Sequence, residues 1–245
     1  MTSSGSGRKT AFRVARWLVV AVLAVLLLPY ALAPLYRVID PVSTLMLARW
    51  LTGKRVARTV VPMERIAAVL TRSVIVSEDA RFCAHRGIDW TELQAAIDDA
   101  DDITEARGGS TITQQTAKNL FLWGGRSFIR KGLEFPLALW IDLVVPKRRI
   151  MEIYLNVAEW GPNGEFGVEA GARHAFNKSA AQLSSGAAAL LAAMLPNPRR
   201  RSAKQPRPGV RRVAGIIQSR AARSGPIDAC LASRKGPSLV GRLPL

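Results

Sequence analysis

The chain has 245 residues, of which 49% are hydrophobic, and this length and composition suit one globular domain with shorter extra segments. Its formal net charge of +17 indicates a polyanionic partner, such as anionic lipid headgroups, phosphorylated substrates or nucleic acid. Two cysteines, Cys83 and Cys230, exclude a disulfide scaffold and do not resemble a metal-binding spacing. Whether they pair with each other is left open by the sequence.

The N-terminal region predicts a cytoplasmic basic tail over residues 1–16 and a transmembrane anchor over residues 17–36. The tail has no acidic residue, and its basic residues are Arg8, Lys9, Arg13 and Arg16. The next twenty residues carry no charge and can cross a hydrocarbon core about 30 Å thick, with the basic tail on the cytoplasmic side. A cleaved signal peptide is the alternative, because Ala31-Leu32-Ala33 resembles a cleavage site. Pro34 and the long apolar run favour an uncleaved anchor.

After the anchor, the sequence predicts a connector (37–62), a helical domain (63–223) and a basic C-terminal tail (224–245). Apolar residues at helical spacing or capping signals predict helices near 63–70, 90–97, 111–119, 133–144, 147–160, 168–176, 183–195 and 210–221. Asp89 is the predicted cap of the helix at 90–97, and Tyr154 belongs to an apolar stripe that is interpreted as core. The helix at 183–195 is apolar on nearly every side and is therefore expected to be buried. Strand alternation is almost absent. The predicted fold class is therefore mainly α. The last twenty residues are predicted to form a loose tail.

The first candidate site motif lies between Val74 and Gly87, where an apolar run leads into Glu78-Asp79. If this stretch is helical, Glu78, Phe82 and His85 lie along one face. A carboxylate beside apolar groups is partly desolvated, which raises its pKa toward the range of a general base or acid. A surface acidic pair at the end of a helix is the structural alternative.

The second motif runs from Gly108-Gly109 through Ser110 to Gln115. Thr111 and Gln114 form a capping box, and the exposed N–H groups at such a helix start attract phosphate or another anion. Lys118 follows Gln114 by four residues, so both side chains lie on one side of the helix. An ordinary glycine turn with a cap is the alternative.

The third motif joins cations to a second carboxylate. Arg126, Arg130 and Lys131 precede Glu134, an arrangement suited to holding phosphates beside a carboxylate. A solvated, salt-bridged helix face is the alternative. A short acidic cluster at 98–102 is interpreted as a solvated loop, because nothing in the sequence fixes a metal-binding geometry.

Four motifs occur in a fixed order: Glu78-Asp79-x-x-Phe82-x-x-His85-x-Gly87, Gly108 to Gln115, Arg130-Lys131-x-x-Glu134, and Ile150-Met151-Glu152-x-Tyr154-Leu155-Asn156. Together they closely resemble the family 51 glycosyltransferases, the transglycosylases that polymerise peptidoglycan. The resemblance covers roughly residues 65–220. It implies a lysozyme-like helical domain that uses lipid II, a disaccharide-peptide on a polyprenyl pyrophosphate. The sequence departs from many relatives at 174–177, His-Ala-Phe-Asn, where they show Tyr-Phe-Gly.

The resemblance also implies roles for individual residues. Glu78 matches the carboxylate that deprotonates the acceptor 4-hydroxyl, and Glu134 matches a second catalytic glutamate. The cations around the pyrophosphate correspond to Lys118, Arg126, Arg130 and Lys131. Polar residues of the donor cleft correspond to Ser110, Gln114 and Gln115. Supporting motif positions are Asp79, Phe82, His85, Gly87, Gly108, Gly109 and Asn156. Relatives often use Mg²⁺ or another divalent cation on the pyrophosphate; no dedicated metal site and no nucleotide cofactor are predicted.

The expected enzyme is a monofunctional lipid II polymerase of the inner membrane, with a cytoplasmic N-terminus and a periplasmic catalytic domain. Its expected partners are lipid II, the growing glycan chain, the membrane, and cell-wall synthesis and division proteins, but not nucleic acid. Transpeptidase activity is not expected, because the Ser-x-x-Lys at 6–9 precedes the anchor and lacks a Lys-Thr-Gly partner.

Two alternatives remain. One is a lysozyme-like lytic transglycosylase or muramidase, which also relies on one essential glutamate. The other is a membrane-tethered binding module whose basic tail docks on anionic lipid or nucleic acid.

Overall fold

The computed structural model describes residues 4–99, 109–125 and 127–232. The mainly α fold class is confirmed. The α-helices are α1 (Ser4–Leu32), α2 (Thr44–Leu51), α3 (Ala68–Glu78), α4 (Trp90–Asp98), α5 (Ile112–Phe121), α6 (Phe128–Val144), α7 (Lys147–Val157), α8 (Val168–Phe176), α9 (Ser185–Met194) and α10 (Pro208–Arg223). Two short strands, β1 (Ala57–Arg58) and β2 (Glu165–Phe166), pair in parallel.

The N-terminal helix is long and apolar enough to cross a membrane, and it fits a single-pass anchor. Helix α1 continues into a 3₁₀ helix at Ala33–Arg37, and the apolar span covers Thr10–Arg37. Most of its large apolar side chains are exposed, as expected of a helix in contact with lipid. Its C-terminal end is fastened to the domain, because Trp140 Nε1 donates to the Tyr30 carbonyl at 2.9 Å and Arg149 Nε to the Tyr36 carbonyl at 2.8 Å.

Two groups of packed helices build the domain. Helix α9 packs against α3 and α10, while α5 packs against α6 and α7. The sequence predicted a buried helix at 183–195, and α9 confirms it, since most of its alanine and leucine side chains are buried. Small side chains on several faces of α9 allow the flanking helices to approach it closely. One of those flanking helices, α3, ends at the first candidate site motif.

The predicted connector contains a helix of its own. Ser43 caps α2 by accepting the Met46 N–H at 3.2 Å, and Met46 is fully buried. Helix α2 packs on α5. Its outer face exposes three large apolar side chains, those of Leu47, Trp50 and Leu51. The capping signals predicted for α4 and α5 are confirmed at Asp89 and Thr111.

The expectation that Glu78, Phe82 and His85 share one helix face is wrong, because α3 ends at Glu78. Asp79 leaves the helical conformation, with φ −167°, and its carboxylate binds His85 and the Ile112 N–H instead of solvent. Side-chain hydrogen bonds of this kind compete with continuation of a helix. Phe82 follows in a turn and is fully buried.

The C-terminal region is more closely bound than predicted. Cys83 and Cys230 form a disulfide. Arg72 on α3 pairs with Asp228 at 2.8 Å and donates to the Ser224 carbonyl at 2.6 Å. The expected loose tail is therefore wrong for residues 226–232, while 233–245 lie outside the described residues. Asn177, at the departure from the family pattern, ends α8 with a left-handed φ of 54°, a conformation that glycine and asparagine tolerate best.

Removing the disulfide should destabilise the domain, because it joins residues 147 positions apart and restricts the unfolded chain. We expect the double variant Cys83→Ser/Cys230→Ser to lose about 2 to 5 kcal/mol of stability, seen as a lower thermal unfolding temperature. Dithiothreitol should lower the unfolding temperature of the unmodified protein to that of the variant and leave the variant unaffected. Equal unfolding temperatures with and without the reductant would contradict this prediction.

Candidate active site

Glu78 is the last residue of α3, and two hydrogen bonds hold its carboxylate. Ser77 Oγ donates to Oε1 at 3.1 Å, and Gln115 Nε2 donates to Oε2 at 3.0 Å. Burial raises the pKa of Glu78 above its ordinary value. The two hydrogen bonds and the positive charges of Lys118 and Arg201 oppose this shift but do not cancel it. A carboxylate in this state is suited to accept a proton near neutral pH.

Tyr154 fixes the orientation of Gln115. Its hydroxyl donates to Gln115 Oε1 at 3.1 Å, which leaves the amide nitrogen to face Glu78. Tyr154 is buried, and burial together with the charges of Glu78 and Asp79 raises its pKa well above the ordinary value. The hydroxyl therefore stays protonated and remains a donor. The apolar stripe in the sequence placed Tyr154 in the core. That pattern gave no indication of the hydrogen bond between its hydroxyl and Gln115.

Asp79 and His85 are buried and support the structure of the site, but they do not face its open side. Asp79 accepts the Ile112 N–H at 2.9 Å, and His85 Nε2 lies 2.9 Å from the Asp79 carboxylate. Thr111 Oγ1 donates to the Gly87 carbonyl at 2.6 Å. Gly87 has φ +76°, and a Cβ there would lie 2.6 Å from the Ala138 carbonyl oxygen. The first motif is thus tied to the start of α5, which carries Gln115 and Lys118.

The second motif starts α5 through reciprocal hydrogen bonds between Thr111 and Gln114. Gln114 is fully buried, so in this structure it shapes the backbone and does not line an open cleft. Gly109 has φ +66° and approaches Ala96 of α4; glycine adopts this φ without strain. Gly108 lies outside the described residues.

A group of cations lies around Glu134, which is buried on α6. Lys131 Nζ donates to Glu134 Oε2 at 3.1 Å and to Ser110 Oγ at 2.8 Å. Arg130 forms an ion pair with the other carboxylate oxygen and donates from Nε to the Gly125 carbonyl at 3.0 Å. Ser110, Arg130, Lys131 and Glu134 therefore form one contiguous group.

Electrostatic interactions connect this group to Glu78. Burial, together with the charge of Arg130, lowers the pKa of Lys118, while Glu78 opposes the shift. Burial and the charges of Arg130 and Lys118 lower the pKa of Lys131 to about 8. Because Arg130 lowers the pKa of both lysines and Lys118 lowers that of Lys131, these cations have an electrostatic preference for a nearby anion.

Two further arginines are candidates for the positive charge of the site: Arg126, which the family resemblance assigned to the pyrophosphate, and Arg201. Arg126 lies outside the described residues. Arg201 was not singled out in the sequence, yet its charge acts on Glu78, and its Nη1 donates to the Ala193 carbonyl at 2.9 Å. Arg201 belongs to a run of three arginines after α9, and sequence alone does not distinguish which of the three faces the site.

Asn156 supports the domain from α7. Its Oδ1 accepts the Val61 N–H at 2.9 Å, and its Nδ2 donates to the Val61 carbonyl at 2.8 Å. The buried amide thereby joins the segment before α3 to α7. It lies in the helix that also carries Tyr154.

Among the described residues, one group of side chains has ligand atoms close enough to hold a metal ion. These are the ligand atoms of Asp79, His85 and Asp89, which lie within 4.8 Å of one another. The group does not fit Mg²⁺ bound to a substrate. Mg²⁺ prefers oxygen ligands and retains several waters, whereas this buried group includes an imidazole. Asp89 is also 3.5 Å from Arg81. Among the described residues, Glu134 is occupied by two cations and Glu78 by two hydrogen-bond donors, so neither offers a preformed Mg²⁺ site.

Comparison with known proteins assigns the family. The model of the family described as transglycosylase matches residues 45–220. A relative from Nitrobacter hamburgensis is 59% identical over 218 residues, covering 89% of this chain and 96% of the relative. One from Rhodopseudomonas palustris is 62% identical over 209 residues, covering 85% and 89%. One from Agrobacterium fabrum is 53% identical over 220 residues, covering 89% and 97%.

Each of these three relatives is named biosynthetic peptidoglycan transglycosylase. The family match extends over more than half of the chain and includes all four motifs, so the resemblance stated from those motifs is confirmed. The chain belongs to the transglycosylase family and is a glycosyltransferase enzyme.

Proposed function

We propose that this enzyme polymerises peptidoglycan glycan chains from lipid II, with undecaprenyl pyrophosphate as the leaving group. The observation that carries the proposal is the partly buried Glu78 carboxylate, whose pKa is raised by burial and whose position is set by Gln115. It lies within electrostatic reach of Lys118, which in turn interacts with Arg130 and Lys131. A base for a hydroxyl group and cations for a diphosphate are the two functions that this reaction needs.

The proposed reaction is a single inverting displacement. Glu78 accepts the proton of the acceptor 4-hydroxyl as the oxygen attacks the donor anomeric carbon. The new β-1,4 bond forms while the bond from that carbon to the pyrophosphate oxygen breaks, and the electron pair leaves with the pyrophosphate. Lys118, Arg130 and Lys131 stabilise the negative charge that develops there. Glu134 holds Arg130 and Lys131 in place through its two carboxylate oxygens.

The proposed location is the inner membrane, with the catalytic domain in the periplasm. The apolar span of α1 supports attachment to a membrane, and the preceding basic residues support a cytoplasmic N-terminus. The Cys83–Cys230 disulfide supports an oxidising compartment for the domain. Exposed Leu47, Trp50 and Leu51 on α2 are consistent with a domain that rests against lipid, where its substrates are anchored.

A lytic enzyme with the same fold is the alternative. Hydrolysis of a glycan does not release a diphosphate, so it gives no role to Lys118, Arg130 and Lys131 around one site. In a glycosidase the second carboxylate acts on water or on the sugar, whereas Glu134 is occupied by two cations. These observations favour synthesis. We propose in addition that the enzyme does not cross-link its product.

Replacing Glu78 with glutamine should abolish chain growth, because the amide cannot accept the proton. We expect the rate of polymerisation of labelled lipid II to fall by about a hundredfold to ten-thousandfold. The unfolding temperature should not fall, because the substitution removes a charge that burial disfavours. Glu64→Gln is the matched control, since the Glu64 side chain is 66% exposed.

Chains growing at the normal rate in the Glu78→Gln variant would contradict the mechanism. Shortened fragments from purified cell-wall glycan, with no growth from lipid II, would favour the lytic alternative.

The polymerisation rate should show a bell-shaped dependence on pH. Glu78 must be ionised, so the rate is lost as pH falls through a pKa that lies above the ordinary 4.5. Lys131 must be protonated, so the rate falls as pH rises past about 8. In Lys131→Arg, which keeps its charge at high pH, the alkaline decline should move upward. A rate that does not decline above about pH 8 would contradict the assignment of Lys131. An acid decline centred at or below pH 4.5 would contradict that of Glu78.

A further inference from the structure

A cavity of about 670 Å³ lies beside α8 and the two short strands. None of the residues proposed for catalysis lines it. The cations that do are Arg55, Arg58 and Arg173. Its volume is within the range of small-molecule binding sites. The cavity is therefore a candidate site separate from the one around Glu78.

Arg58 is the least exposed of the three arginines that line this cavity. It lies in β1, where pairing with Phe166 of β2 fixes its backbone. Its Nε donates to the Asn156 carbonyl at 3.1 Å, but its Nη2 is buried without a hydrogen-bond partner among the described residues. Burial lowers the pKa of Arg58, which means that its charge is incompletely compensated.

Two carboxylates, those of Glu165 and Glu169, also line the cavity, and both are already engaged. Glu165 accepts the Asn163 N–H at 2.9 Å and lies 3.3 Å from His174. Glu169 accepts Arg173 Nε at 2.9 Å and, with its other oxygen, the Ala180 N–H at 2.7 Å.

Asp40 also acts on Arg58, but its carboxylate is paired with Arg149 at 2.8 Å. No acidic side chain of the described residues therefore pairs directly with Arg58.

We infer that the cavity beside α8 binds an oxyanion, a carboxylate or a phosphate, on the guanidinium of Arg58, with exposed Arg55 adding positive charge at the rim. A planar guanidinium binds such groups through two parallel hydrogen bonds. Two sources present this chemistry. One is a carboxylate of the stem peptide on lipid II or on the growing glycan, and this source rests on the proposed function. The other is free phosphate, which does not.

The test is calorimetric titration of the full-length protein in detergent, without lipid II. Sodium phosphate and a soluble stem peptide with free carboxylates are titrated separately. At least one probe should bind, and Arg58→Gln should bind it about tenfold more weakly or worse. Arg65→Gln is the matched control, because Arg65 is exposed and lies outside the cavity lining; it should bind like the unmodified protein.

A second variant keeps the test decisive, because Arg58→Gln also removes the hydrogen bond to Asn156. Arg55→Gln changes an exposed side chain and should weaken binding about threefold with no loss of folding. Binding of phosphate alone would keep the site but reject the stem peptide as its ligand.

Absence of binding by both probes, or equal binding by Arg58→Gln and the unmodified protein, would overturn the inference. Polymerisation of lipid II, measured separately, tests the proposed function independently.

Discussion

The hydrogen bond between Gln115 and Glu78 is the interaction on which the rest of the site depends. Burial raises the pKa of Glu78 but does not by itself fix the orientation of its carboxylate. The amide of Gln115 fixes one oxygen, and Tyr154 fixes the amide. Helices α3, α5 and α7 thus meet at one carboxylate. Glu78 comes from α3, Gln115 from α5 and Tyr154 from α7, so the packing of these helices determines the position of the base.

Other polar contacts hold the segments around Glu78 in their relative positions. Asp79 binds the first turn of α5, Thr111 binds the Gly87 carbonyl, and Asn156 binds the segment before α3. The important property of the cations of the site is electrostatic. Burial lowers the pKa values of Lys118 and Lys131, and neighbouring positive charges lower them further. Glu134 compensates part of this positive charge, and the charge that remains suits a leaving group that develops negative charge.

The sequence predicted the helical class, the buried α9 and the capping residues Asp89 and Thr111, because periodicity and capping are local signals. It did not predict that α3 ends at Glu78. The contacts that favour the turn come from Ile112 and His85, and the first of these is remote in the chain. The same limit applies to Tyr154, whose apolar neighbours imply a core position and conceal the hydroxyl contact. The pairing of Cys83 with Cys230 likewise depends on tertiary structure. The motifs selected the candidate residues, and only the packing showed which of them, such as Gln114, serve the backbone.

The most direct measurement of the central claim is the titration of the Glu78 carboxyl group by infrared difference spectroscopy, with Glu78→Gln used to assign the band. We expect a pKa above the ordinary value of 4.5 in the unmodified protein. We expect a still higher pKa in Lys118→Ala, because the Lys118 charge opposes the effect of burial. An ordinary pKa for Glu78, or one that does not respond to loss of Lys118, would contradict the claim that a partly buried base and its neighbouring cations form one site.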